Sequence, residues 1–285
     1  MLMKIKIGTR GSQLALAQTA MVEKALHEIG AETQIIPIHT RGDKIRNQSL
    51  AEISKTQTGV FVSEIERALL QNEIDIAVHS AKDLPVKLAD GLEIGAVLKR
   101  GNYRDVLVTN ADNSTLQTIG TGSLRRRLFF KKLHPDAEFK DIRGNIDTRL
   151  QKLKRHEYDG IILAMAGLER LHLLENPEFQ YQPFEIVQMI PSACQGIIAI
   201  ESRKNDEFNS ILQAITDTET KYCFEAERHI LELLGGDCSI PVSALAQIEG
   251  NQIQLTVTKD CQNIQIGTAP IEERFHLAEE LTTKL

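Results

Sequence analysis

For roughly the first 215 residues, short apolar runs alternate with stretches of helical spacing, and this alternation restricts the fold more than any other feature. "KIKIGTR" (4–10) alternates as a strand does. "SQLALAQTAMVEKALHEIG" (12–30) has helical periodicity, with Ser12 placed to cap it and Gly30 to stop it. "TQIIPIHT" (33–40) and "IDIAVHS" (74–80) have the length of strands. After "KRGNYRD" (99–105) the pattern restarts with the strand "VLVTN", a strand end in "TIGTGS" and the helix "LRRRLFFKKL", which His134-Pro135 stops. The strand "EFKDI", the helix "IDTRLQKLKR" with Asn145 as cap, and the strand "GIILAMA" follow. The pattern predicts an α/β architecture with mostly parallel sheets.

Two internal echoes point to a paired build. "IGTRGS" (7–12) resembles "IGTGS" (119–123), each at a strand-to-helix turn. "IDIAVHSAKDL" (74–84) resembles "YDGIILAMAGL" (158–168). Beyond about residue 218 the character changes. "KYCFEAERHILELLGG" is helical, "VSALAQIEGNQIQLTVTKD" reads as two strands around a Gly-Asn turn, and "EERFHLAEELTTKL" is a final amphipathic helix. The expected domains are a first α/β lobe (1–98 with 195–217), a second α/β lobe (99–194) and a small α+β domain (218–285).

Composition narrows the class of partner. The formal net charge of −6 argues against a general nucleic-acid coat. No apolar run is long enough for a transmembrane helix. Cys194, Cys223, Cys238 and Cys261 form no C-x-x-C pair, and the histidines lack metal-ligand spacing. A cytoplasmic protein with free thiols and no metal is expected.

Against this acidic background the basic residues are placed selectively. Arg10, Arg41, Lys82, Arg125, Arg126 and Arg143 fall at or just past the carboxyl ends of predicted strands. Arg149 lies in the next helix, and Arg170 lies just past "IILAMAG". That edge of an open α/β sheet is where ligands bind, and helix N-termini there add free N–H groups. Thr121 and Ser123 add hydroxyls. The pattern favours a polyanion cleft, while Arg127, Lys131 and Lys132 read as the outer face of their helix. Asp83, in "HSAKDLP", is either a cap before Pro85 or a carboxylate available to stabilise positive charge. Cys238, in "LLGGDCSIPV", sits on a loop where a thiol could act as nucleophile or covalent tether.

"TRGSQLALAQ", "TRGD", "DIAVHSAKDLP", "GTGSLRRR", "IRGNIDTRL", "YDGIILAMAGLERL", "CQGIIAIE" and "GGDCSIPV" occur in this order. Together they closely resemble the hydroxymethylbilane synthase, or porphobilinogen deaminase, family. The resemblance implies two periplasmic-binding-protein-like lobes plus a small C-terminal α+β domain. It implies a transferase that deaminates and polymerises four porphobilinogen units onto a covalent dipyrromethane primer and releases linear hydroxymethylbilane, in tetrapyrrole and haem biosynthesis. Cys238 aligns with the cofactor-bearing cysteine, through a thioether, and Asp83 with the catalytic aspartate. Arg10, Ser12, Lys82, Thr121, Ser123, Arg125, Arg126, Arg143, Arg149 and Arg170 fall on carboxylate-binding positions, and Gln195 joins them in the binding set. Within the chain's own "SKTQTGVF" loop (54–61), Lys55 is the lid candidate. The expected state is a cytoplasmic monomer whose partner is porphobilinogen, with no nucleic acid and no membrane. The alternative is a non-catalytic two-lobed anion-binding sensor, which would leave the loop thiol unexplained.

Overall fold

The computed structural model describes residues 4–38, 62–113, 116–235 and 240–285. Lys55 and Cys238 lie outside the described residues. The chain separates into two compact units, one formed by 1–100 with 197–221 and the other by 101–196 with 222–285.

The first unit holds a five-stranded sheet ordered β2-β1-β3-β10-β4. Its strands are β1 (Lys4–Arg10), β2 (Glu32–Ile38), β3 (Ile76–Ser80), β4 (Leu92–Val97) and β10 (Ile198–Arg203). Its helices include α1 (Gln13–Glu28), α2 (Ser63–Leu70) and α6 (Asn209–Ala214). One face packs Ile5, Ile7, Val22, Leu26, Ile76 and Val78 together, and the other packs Ile65, Leu69, Ile74, Ala77 and Leu92. A sheet covered on both faces explains why its strands read as continuous apolar runs.

The second unit repeats the plan with the order β7-β6-β8-β5-β9. These strands are β5 (Asp105–Asn110), β6 (Thr118–Gly120), β7 (Glu138–Lys140), β8 (Gly160–Ala164) and β9 (Phe179–Pro183). The helices α3 (Leu124–Leu133), α4 (Ile146–Lys154) and α5 (Met165–Arg170) follow β6, β7 and β8. The sequence echoes acquire a meaning here. β1 and β6 both take the second place in their sheets, and β3 and β8 both take the third. At the first echo Gly8 and Gly120 end up equivalently crowded. A Cβ on Gly8 would lie 2.2 Å from Ile74 Cδ1, and one on Gly120 would lie 2.8 Å from Tyr158 Cδ1.

The sheets are mixed and not mostly parallel. β1 runs parallel to β2 and β3, but β10 is antiparallel to both β3 and β4. Likewise β6 runs parallel to β7 and β8, while β5 is antiparallel to β8 and β9. In each sheet the fourth strand is the reversed one. β5 and β10 each follow a change of unit along the chain, so periodicity within a segment carries no sign of their direction.

After α7 (Thr218–Leu233) come β11 (Ser243–Glu249), β12 (Gln252–Thr258) and β13 (Gln265–Pro270), which form an antiparallel sheet ordered β11-β12-β13. The first two are the expected pair around Gly250-Asn251, and β13 is an additional strand. Helix α8 (Arg274–Thr283) packs closely on it, since a Cβ on Gly267 would lie 2.8 Å from Leu277 Cδ1. Leu245 and Cys261 from this part share a core with Phe129 and Phe130 of α3.

Candidate functional site

In the first unit, the parallel register that pairs Ile7 with Ile76 carries the ends of β1 and β3 to the same sheet edge. Arg10, half-buried, ends β1 there. Ser12 caps α1, its Oγ accepting the Ala15 N–H at 3.2 Å. The chain then tightens after β3 into a 3₁₀ turn, Ala81–Asp83. This turn is held at its start by the Ala81 N–H, which donates to the Ile197 carbonyl at 3.0 Å. Gln18 Nε2 donates to Ser80 Oγ at 2.8 Å and so ties α1 to the end of β3. Lys82 is half-buried and Asp83 is exposed. Among the described residues no hydrogen bond engages the Asp83 carboxylate, and the Leu84 N–H bonds Ala81 O instead. The capping interpretation of Asp83 thus has no bond behind it.

In the second unit the "GTGSLRRR" turn forms as the periodicity requires. Ser123 caps α3, its Oγ accepting the Arg126 N–H at 3.4 Å. Thr121 is buried, and its Oγ1 accepts the Ser123 N–H at 3.2 Å. The arginine run splits by direction. Arg125 and Arg126 are 5% and 8% exposed, so they belong to the interior. Arg125 Nη1 meets Asp105 Oδ2 at 2.8 Å and donates to the Ile190 carbonyl at 2.7 Å. Arg126 donates through Nε and Nη2 to Asp105 Oδ1, at 3.0 and 2.7 Å, and through Nη1 to the Ile162 carbonyl at 2.8 Å. Arg127 is half-buried and turns back to the Thr121 carbonyl at 2.9 Å and to Asp141. Lys131 and Lys132 are on the exposed face but bond the carbonyls of Ala137 and Cys261.

Arg143 and Arg149 are half-buried near the end of β7 and in α4. Arg149 Nε donates to the Gly144 carbonyl at 2.7 Å. Gly144 has φ +107, and a Cβ there would lie 2.8 Å from Thr148, so this bend belongs to glycine. Asn145 is the cap residue of α4 by backbone geometry, without a side-chain bond. Arg170, at the end of α5, donates through Nη2 to the Gly196 carbonyl at 2.6 Å, and burial lowers its pKa to about 10. Gln195 is fully buried, and its Nε2 donates to Tyr103 O at 2.8 Å and Asp105 Oδ1 at 3.1 Å.

Arg10, Ser12, Lys82 and Asp83 thus share the first unit. Thr121, Ser123, Arg125, Arg126, Arg143, Arg149, Arg170 and Gln195 share the second. Asp105 is the residue that motif reading missed. It begins β5, and because β5 runs antiparallel, its register partner is Ala164 at the carboxyl end of β8. That places it at the sheet edge where β8 ends, and only the strand direction could have revealed this. Glu227 of α7 was also missed. It accepts the N–H groups of Cys194 and of Ala246, the latter at 2.7 Å. Among the described residues no group of His, Cys, Asp and Glu could hold a metal ion, and no helix is long and apolar enough to cross a membrane.

Two family models match the chain. "Porphobilinogen deaminase, dipyromethane cofactor binding domain" covers residues 5–210, and "Porphobilinogen deaminase, C-terminal domain" covers 221–285. A porphobilinogen deaminase of Streptococcus sanguinis is 43% identical over 260 residues, spanning 88% of this chain and 84% of that one. One of Oceanobacillus iheyensis is 39% identical over 297 residues, spanning 99% and 94%. Among solved structures, the periplasmic VFT2 domain of Bordetella pertussis BvgS aligns at 13% identity with TM-score 0.45, over 74% of this chain and 86% of that one. That likeness bears on neither ligand nor activity.

Proposed function

The chain belongs to the porphobilinogen deaminase family, and from that premise we propose that it joins four porphobilinogen units on a dipyrromethane held at Cys238 and releases linear hydroxymethylbilane. When bound, the dipyrromethane supplies the pyrrole end to which new rings are added. Each ring carries an acetate and a propionate, so the product grows as a polyanion. The donor chemistry suits such a ligand. At the edge of the second sheet stand guanidiniums and hydroxyls, and Asp105 pairs with both Arg125 and Arg126. Arg143, Arg149, Thr121 and Ser123 would hold carboxylates in that unit, with Arg10, Ser12 and Lys82 serving in the other. Guanidinium can bind a carboxylate through two parallel hydrogen bonds, which fixes orientation as well as charge.

Asp83 is the residue assigned to the chemistry. Loss of ammonia from porphobilinogen leaves an electron-poor ring, and coupling passes through cationic pyrrole. A carboxylate held beside it stabilises that charge and accepts the departing proton. The observation that carries this role is the state of Asp83: exposed, fixed on a turn next to Lys82, and without a hydrogen bond among the described residues. Lys55 is proposed as a lid contact, Arg170 and Gln195 as supports of the binding edge, and residues 218–285 as a separate domain bearing the thiol. The finer assignment is to haem biosynthesis in the cytoplasm, by a monomer.

Intact mass spectrometry tests the reading. Active protein should exceed its translated mass by two pyrrole units, and Cys238→Ser should show the bare chain. Fully active protein of unmodified mass would overturn the tether.

A further inference from the structure

Glu201 is fully buried and His79 nearly so, and the two meet through His79 Nε2 and Glu201 Oε2 at 3.0 Å. They form a diagonal pair across the antiparallel strands β3 and β10. His79 stands opposite Ala199 and Glu201 opposite Ala77, so two small residues leave room for two long side chains to meet. Both lie on the sheet face that α2 covers, because Ile76, Val78, Ile198 and Ile200 take the other face. One proton between Nε2 and Oε2 leaves the pair without net charge, which lowers the cost of burying it. The arrangement is still expensive, since Glu201 Oε1 is buried with no hydrogen-bond partner among the described residues. An apolar pair would fill this place at lower cost, so packing alone does not account for it. Its position along the chain is what distinguishes it. His79 stands four residues before Asp83 and two before Ala81, whose N–H bonds the Ile197 carbonyl just ahead of β10. Beyond the turn, Glu66 of α2 accepts the Ala89 N–H at 3.1 Å and so holds the loop that leaves Asp83.

We propose that His79 and Glu201 are positioning residues for the reaction at Asp83: the buried pair locks the end of β3 to β10 and so fixes the direction in which the Ala81–Asp83 turn presents its carboxylate. This rests on the functional reading above, in which Asp83 carries the chemistry. No hydrogen bond engages the Asp83 carboxylate among the described residues, so its direction is set by the backbone that bears it. That backbone is held by the Ala81 N–H and, two residues earlier, by a side-chain pair that joins the strands in one geometry. Neither His79 nor Glu201 needs to touch the substrate.

Porphobilinogen consumption by the primer-bearing enzyme tests this, with kcat and KM read separately on folded protein. Glu201→Gln should keep KM and lower kcat about tenfold, the kind of loss that slight misplacement of a reacting group causes. In an Asp83→Asn background the same substitution should lower kcat no further, because the group it directs is gone. An unchanged kcat, or an equal loss in both backgrounds, would overturn the proposal. Should Glu201→Gln fail to fold, His79→Phe combined with Glu201→Leu takes its place. This double variant leaves no buried charge, so it is expected to fold. Positioning predicts the same loss of kcat in it, whereas a purely structural pair predicts wild-type kcat, and that result would overturn the proposal. Asp83→Asn with wild-type kcat would instead overturn the functional reading of Asp83, and the proposal with it.

Discussion

Arg170 and Gly196 are joined by a 2.6 Å hydrogen bond from Nη2 to the carbonyl oxygen, and the same oxygen accepts the Gly101 N–H at 3.0 Å. Gly196 has φ +87, and a Cβ on it would lie 2.7 Å from the Gly101 oxygen. Gly196→Ala therefore meets both a left-handed backbone and a clash with main chain that cannot step aside. Destabilisation of about 1–3 kcal/mol is expected. A thermal melt lower by several degrees would agree, and an unchanged melt would mean that the segment relaxes freely.

Asp83→Asn should fold as wild type does, because the carboxylate is exposed and no hydrogen bond among the described residues depends on it. Turnover should fall by roughly two to four powers of ten, the usual worth of a proton-transfer or charge-stabilising group. Steady-state porphobilinogen consumption measures this. Near-normal turnover would reduce Asp83 to a turn residue.

Arg10 and Arg149 are half-buried, unlike Arg125 and Arg126, and so are better placed to bind rings that come and go. Arg10→Leu and Arg149→Leu should retain the primer mass and slow elongation. Each charged hydrogen bond lost costs about 1.5–3 kcal/mol. Mass spectra taken after adding porphobilinogen should show stalled adducts. Loss of the primer itself in either variant would place that arginine with the buried pair.

Cys261 is fully buried, and its thiol is pushed up from 9.0 to about 11, chiefly by desolvation. The folded state holds the proton more tightly than the unfolded chain, so the folded state is favoured below pH 9. That advantage is lost as pH rises from about 9 to 11. Cys261→Ala should flatten the pH dependence of unfolding free energy in this window, measured by urea titration. An identical slope in the variant would show that other groups dominate there.

Much of the molecule was legible because it depends on neighbours in sequence. Periodicity placed α1, α3 and α4, and Ser12 and Ser123 cap as short polar residues before a helix do. The echo between "IGTRGS" and "IGTGS" marked equivalent strands of two sheets before any sheet was drawn. Motif order disclosed the family.

What remained hidden was which carboxylate the arginines of this run meet. In "LRRRLFF" helical spacing sets Arg127 apart from Arg125 and Arg126, but nothing local names the carboxylate that each one meets. Their fates diverge because Asp105 reaches Arg125 and Arg126 through an antiparallel pairing of β5 with β8, while Arg127 faces outward to Asp141. A strand's amino acids set its tendency to extend and which faces it buries. They do not set its direction beside another strand, since either direction satisfies the backbone hydrogen bonds. Direction is settled by where the chain re-enters the sheet, and in this protein that decision gives two buried charges their common counter-ion.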